Sequence, residues 1–284
     1  EQRGGYDEQH HRGAEVSAVS DRAEWLEARR NYLGGTDTAA LVGKNKYKTP
    51  LSVYAEKALG IVPEASDMVL ARIGTILEPL AIELAQSDLG IEIAPTEFLQ
   101  HSVYPFIAGN IDGRVKGMPR IIEVKTYGYS TQDEWGEEMS DEIPSSYHVQ
   151  ATKYCGLADA EDCLVVAMHR DTGKRTYYIV PANPDYYQSL VDVDVRFWND
   201  HVIPKVEPLA ASYQDMDIVK TLYKTQDSDL LRATDLHDER ASKYMGWRDL
   251  IGKAEKERDG VKASLIQAIG ASAATVTACG HFTY

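Results

Sequence analysis

The chain has 284 residues and a formal net charge of −14, room for one sizeable core with an appendage or for two modest domains. Apolar residues make up 43% and charged residues 26%, the balance of a globular protein, and no apolar run approaches the roughly 20 residues that span a bilayer. The acidic balance excludes a protein that coats nucleic acid generally but leaves room for an enzyme with a local basic groove, and the absence of a charged-then-apolar leader places it in the cytoplasm.

Residues 1–20 are polar and without periodicity, so a loose arm is expected, with His10 and His11 solvated. A helix should start at Ser20, a capping residue before acidic side chains, and run through Arg30. The chain then turns on Gly34-Gly35 and restarts at Thr36 or Asp37 into a small apolar helix. PLSVYAEKALG reads as a helix opened by Pro50 and stopped by Gly60. From Asp67 to Ser87 the residues Met68, Ile73, Ile76, Leu77, Leu80, Ala81 and Leu84 recur at helical spacing, and Glu78 lies among them.

After Gly90 the texture changes to strands: IEIAPTEFLQH, YPFIAGNIDGRV, a turn at Lys116-Gly117-Met118-Pro119, and RIIEVKTY. The polar stretch from Gly128 to Glu142 reads as a mobile loop. A helix over Ser145–Leu157 follows, then a hairpin of DCLVVAMHR and KRTYYIV about Asp171-Thr172-Gly173, and a helix over 184–203. This order implies an α/β core with a small mixed sheet flanked by helices. Residues 21–205 form that domain. Residues 206–284 are a poorly patterned connection followed by a charged helical extension, a helix pair or coiled-coil arm, and the strand-like HFTY suggests that the natural chain continues. Cys155, Cys163 and Cys279 lack the spacing of a zinc site or a disulfide framework. His148 and His169 read as satisfied structural histidines.

The chemistry centres on GNIDGRVKGMPRIIEVKT. Asp112 is followed, after ten intervening residues, by Glu123-Val124-Lys125. Alternation along a strand puts Glu123 and Lys125 on one face, and a facing strand can bring Asp112 to it. Two carboxylates on a rigid hairpin suit Mg²⁺ or Mn²⁺, and the lysine can orient a water and share phosphate charge. Alone, these three common residues at this spacing also fit a plain surface hairpin. Glu78 reads equally as a helix-surface carboxylate before a kink at Pro79, and Tyr154 as a core aromatic.

This pattern resembles the PD-(D/E)XK nucleases, with Ile111-Asp112 in place of Pro-Asp. More narrowly it is similar to the YqaJ-type viral recombinases, the alkaline exonucleases that include the lambda exonuclease. Trp25 and Arg29 resemble their W-x3-R helix, Gly35-Thr36-Asp37 their turn, Arg72-x-Gly74-x3-Glu78 a glutamate-bearing helix, and Gln150-x3-Tyr154 their QxxxY helix. The resemblance covers about residues 22–203. It implies that Glu78, Asp112, Glu123 and the Val124 carbonyl bind metal, two ions by that likeness, with Lys125 positioning the nucleophilic water. It implies that Gln150 and Tyr154 support the site and that Arg29, Thr36 and Asn110 contact phosphate. It further implies a phage or prophage enzyme in a bacterial host that degrades double-stranded DNA ends 5′ to 3′, with a single-strand annealing partner and a homotrimer as its company. The rival readings are an endonuclease and an inactive DNA- or protein-binding module on the same fold.

Overall fold

The strand RIIEVKTY is buried along both of its faces, which needs a sheet covered on two sides, and that requirement organises the molecule. The computed structural model describes residues 28–61, 68–210, 212–223, 234–270, 274–277 and 280–283. By packing, the chain divides into a unit of residues 1–224 and a unit of residues 225–284.

In the first unit the helices are α1 (Gly35–Leu41), α2 (Pro50–Leu59) and α3 (Met68–Leu89). Strands β1 (Ile93–Ala94), β2 (Glu97–Gln100), β3 (Ala108–Ile111), β4 (Gly113–Val115) and β5 (Arg120–Tyr127) follow. Then come α4 (Ser145–Ala158), β6 (Asp162–His169), β7 (Arg175–Pro181), α5 (Pro184–Phe197) and α6 (Met216–Leu222). The main sheet has the order β1-β4-β5-β6-β7. Strands β5 and β6 are parallel, joined by the α4 crossover, and the other neighbours are antiparallel. β2 and β3 form a separate ribbon.

Alternation along β5 divides its side chains between two layers. Ile121 packs with Ala151, Tyr154 and Cys155 of α4, whereas Ile122 and Val124 pack with Ala81 and Ala85 of α3. A third cluster joins α2 to Leu33, Phe197 and Ile218, so residues that read as a connection after 205 pack against the same body. Among the described residues no helix is long and apolar enough to cross a membrane.

Several sequence expectations change. The run from Ile91 to His101 is two strands in two different sheets, because Pro95 interrupts the ladder between them. The stretch after Gly128 is held in place: it forms a 3₁₀ helix over Tyr129–Glu134, and beyond it Met139 N–H donates to the Tyr177 carbonyl at 2.7 Å and Ile179 N–H to Ser140 at 3.0 Å. α3 runs through Pro79 without ending, and Ile76 and Leu80 are exposed, so its buried stripe is Leu77, Ala81, Leu84 and Ala85. The helix expected to reach residue 203 ends at Phe197 and widens into a π turn over Trp198–Val202. His169 is half satisfied: Nδ1 accepts the Asp171 amide at 3.2 Å, while buried Nε2 has no partner. The arm, most of the Ser20–Arg30 helix, Trp25 and Cys279 lie outside the described residues.

The second unit holds a continuous helix, α7 (Asp235–Ile269), with no buried residue, and a ribbon of β8 (Ala274–Thr277) and β9 (Gly280–Thr283). A helix pair is therefore not what the charged stretch forms.

Candidate active site

Asp112 sits where the chain leaves the β2–β3 ribbon and enters the main sheet as β4. Its amide donates to the Ile122 carbonyl at 3.2 Å, and its Oδ2 accepts the Val124 amide at 2.7 Å. The carboxylate is thereby locked to the strand that carries Glu123 and Lys125. Glu123 is 1% exposed, and its Oε2 accepts from Lys125 Nζ at 2.7 Å and from Gln150 Nε2 at 2.9 Å. The predicted face is thus real, and α4 reaches it through Gln150.

Burial, with the charges of Asp112 and Glu78 adding to it, pushes the Glu123 carboxyl up to about 8. Burial and the Asp112 charge raise Glu78 as well. Burial works against the Lys125 ammonium, but Glu123 and Asp112 outweigh it and hold it above its usual range. One lysine therefore serves three carboxylates drawn from α3, the β3–β4 joint and β5, an excess of negative charge that a cation would neutralise. Glu123 Oε1 is buried and has no hydrogen-bond partner among the described residues. Hard oxygen donors, surplus negative charge and an orphaned carboxylate oxygen fit a divalent ion by chemistry. Among the described residues no three His, Cys, Asp or Glu side chains are gathered closely enough to hold one as they stand.

A cavity of about 840 Å³ opens over this patch, lined among others by Glu78, Val124, Lys125, Arg29, Thr36 and Arg170. Arg29 and Thr36, which the family resemblance singled out, both line it. Asn110 is exposed on β3, opposite Phe98, and is not among the residues lining that cavity; the ribbon carries it away although it stands only two residues before Asp112. Arg170 was not singled out from the sequence. It follows β6, packs against Gly128 and has no acidic partner among the described residues, which leaves its charge available inside the cavity.

The Gly34-Gly35 turn is pressed into this structure from both sides. Gly35 N–H donates to the Tyr154 hydroxyl at 3.2 Å, and a Cβ on Gly35 would lie 2.6 Å from Gln150 Cγ. A Cβ on Gly109 would collide with the Tyr154 ring. Tyr154 is thus a positioning residue, buried and clamped on the turn, its phenol raised by burial and by the Glu123 charge.

Behind the turn lies an ion cluster that sequence reading missed. Fully buried Asp37 pairs with Lys48 and with Lys57 at 3.0 Å, Glu56 pairs with Lys57 at 2.7 Å, and Arg29 lies 3.7 Å from Asp37 and 3.4 Å from Glu56. Three cations against two carboxylates leave one positive charge in excess on this wall. Arg29 and Arg30 are both half-buried. Burial alone would raise Asp37, yet Lys48, Lys57 and Arg29 overcome it and hold the carboxyl well below the usual range. Because the folded value is depressed, this stabilisation is present above about pH 4, the unfolded value, and is lost as pH falls through the folded one. Asp37→Asn should therefore lose stability at neutral pH, and its urea midpoint should fall less than that of the wild type as pH drops from about 5 to about 3.

Residues 24–161 match the model of the YqaJ-like viral recombinase domain. The uncharacterized protein YqaJ of Bacillus subtilis (strain 168) is 28% identical over 251 residues, covering 86% of this chain and 78% of the relative. The crystal structure of an alkaline exonuclease from Laribacter hongkongensis superposes with a TM-score of 0.51 at 15% identity, over 71% of this chain and 97% of the other. At that identity the likeness is one of fold. Over residues 24–161, then, the chain is similar to the YqaJ-like viral recombinase domain, and it shares its fold with the alkaline exonuclease structure.

Proposed function

We propose that the chain is a divalent-metal-dependent deoxyribonuclease of the 5′-to-3′ double-strand exonuclease type, leaving 3′ single strands for recombination. The observation that carries this reading is that Glu78, Asp112 and Glu123, carboxylates from three separate elements, all share the charge of Lys125, beneath a cavity lined by Arg29, Lys48 and Arg170. The family match and the name of the Laribacter protein support it.

Glu78, Asp112, Glu123 and the Val124 carbonyl would hold magnesium or manganese, two ions by family resemblance. Ions bound there supply Lewis-acid stabilisation to the attacking and leaving oxygens of a phosphodiester. Lys125, kept charged by its carboxylate neighbours, orients the attacking water and shares the phosphate charge. Gln150 fixes the Glu123 carboxylate, and Tyr154 fixes the turn that carries Thr36. Arg29 and Arg170, which both line the cavity, bind backbone or terminal phosphate, Arg29 already oriented by Asp37 and Glu56. A phage or prophage setting, an annealing partner and a trimer complete the proposal by resemblance.

The test is incubation with Mg²⁺ of a linear duplex bearing a 5′ phosphate, beside a closed circle of the same sequence, with Asp112→Ala as control. Stepwise shortening of the 5′-ended strands, an intact circle and an inactive variant are the expected outcome. Cutting of the circle would make the protein an endonuclease, and cleavage of neither substrate would make it a binding module.

A further inference from the structure

The helix of the second unit, α7, is 35 residues long, yet none of its residues is buried. Helices in water owe most of their stability to a packed apolar face. This one also carries Gly246, Gly252 and Gly260, each costing about 1 kcal/mol relative to alanine in a helix interior. Tyr244, Trp247, Ile251 and Val261 are all more than half exposed along it. We propose that α7 pairs with α7 of a second copy of this chain, antiparallel, so that Arg258 of each copy lies over Trp247 of the other. This pairing does not depend on the nuclease reading.

The seam is legible in the spacing. Tyr244, Trp247, Ile251, Ala254, Val261 and Leu265 follow one another at intervals of three and four, with Arg258 filling the remaining place. Such alternation keeps one stripe of a helix turned to one neighbouring helix over its whole length. The three glycines all lie off the stripe, so the face it presents is built from side chains.

Charge decides what covers that face. In a parallel pair equivalent positions meet, so Arg258 would face the partner's Arg258 inside the seam, and Lys243 would flank the partner's Arg248. Both contacts are repulsive. In an antiparallel pair centred between Gly252 and Lys253, Ile251 meets the partner's Ala254 and Tyr244 meets the partner's Val261. Arg258 meets the partner's Trp247, the best aromatic surface for a cation. Along the border Arg248 stands against the partner's Glu255 and, by the two-fold symmetry, Glu255 against the partner's Arg248. Sliding the partner by one heptad brings Arg248 opposite the partner's Arg248 in one direction and Glu255 opposite the partner's Glu255 in the other. The antiparallel register centred on residues 252 and 253 therefore satisfies the apolar stripe and the charges together.

In the single chain these arginines are engaged with their own neighbours, Arg258 with Asp259 at 2.9 Å and Arg248 with Asp249 at 3.9 Å. Exposed pairs of this kind are worth little and give way readily. An antiparallel pair closes with two copies, so it is distinct from the trimer implied by resemblance and would join such trimers in twos.

The test measures the molar mass of the full chain by light scattering, over a concentration series at low salt. Ile251→Glu, which puts a charge at the centre of the seam, should halve the mass found for the wild type. Arg248→Glu and Glu255→Arg, each alone, set like charges against each other on both borders and should weaken the pairing roughly thirtyfold. An equimolar mixture of those two variants should recover the wild-type mass, because opposite charges then face each other again; the recovery also shows that both variants are folded. Equal masses for the wild type and Ile251→Glu, or a mixture no heavier than either variant alone, would overturn the pairing. Tighter association of Arg248→Glu would overturn its antiparallel sense, since in a parallel pair that change relieves the repulsion from Lys243.

Discussion

Glu123→Gln should slow DNA cleavage by about a thousandfold, the loss expected when several kcal/mol of transition-state stabilisation disappear, while the protein remains folded. The substitution preserves shape and removes charge. The fold tolerates it because Glu123 is a carboxyl that its surroundings push up to about 8, so a neutral group of equal size suits a site already dry and crowded with negative charge. The second readout is thermal. A ligand that binds the folded chain raises its stability by about 2.7 kcal/mol at a hundred times its Kd. Magnesium should raise the melting temperature of the wild type, and the rise should shrink in the variant. Equal shifts and equal rates in both proteins would remove Glu123 from the ligand set.

Lys153→Met should cost about 3–5 kcal/mol of stability, the usual result of breaking a buried ion pair from one side. Lys153 is 1% exposed, and its three donors meet three acceptors at 2.7 Å: the Leu33 carbonyl, Thr38 Oγ1 and Asp194 Oδ2. Thr38 donates in turn to Asp194 at 2.9 Å. One side chain of α4 therefore ties together the strand end before the glycine turn, α1 and α5. Without it, Asp194 is left as a buried carboxylate with a hydroxyl for company. Burial already raises the Asp194 carboxyl despite Lys153. Adding Asp194→Leu to Lys153→Met should recover much of the loss, because an apolar pair of similar volume does not strand a charge. Urea midpoints of the two variants and the wild type measure both effects, and equal midpoints for Lys153→Met and wild type would exclude the anchoring role.

What the sequence made legible follows from the range of each signal. β5, the Lys116–Pro119 turn, α4 and the β6–β7 hairpin rest on local alternation, turn residues and helical spacing, and the structure places them as read. Asp112, Glu123, Lys125 and Gln150 were found because strand period and motif order together bring them to one face. The pairing of Asp37, Lys48, Glu56 and Lys57 was missed because charged residues on helices and their connections ordinarily face water; only the tertiary arrangement turns them inward toward one another. Lys153 lay hidden between Gln150 and Tyr154, although a lysine flanked by Ala151, Thr152 and Cys155 was a signal in principle. Asn110 shows the opposite failure: proximity in sequence to Asp112 does not survive the change of sheet at that residue. Arg170 followed a strand end, where nothing in its neighbours marks which way it turns.

The hydrogen bonds between residues 139–140 and β7 bear on how the molecule behaves in company. β7 is a border strand of the main sheet, and an open border is a template on which another chain can add a strand and begin to aggregate. Here the segment leaving Trp135 occupies part of that border, and β1, at the opposite border, is only two residues long. The polar stretch between β5 and α4 thus guards solubility, and shortening it would bare the β7 border of the sheet.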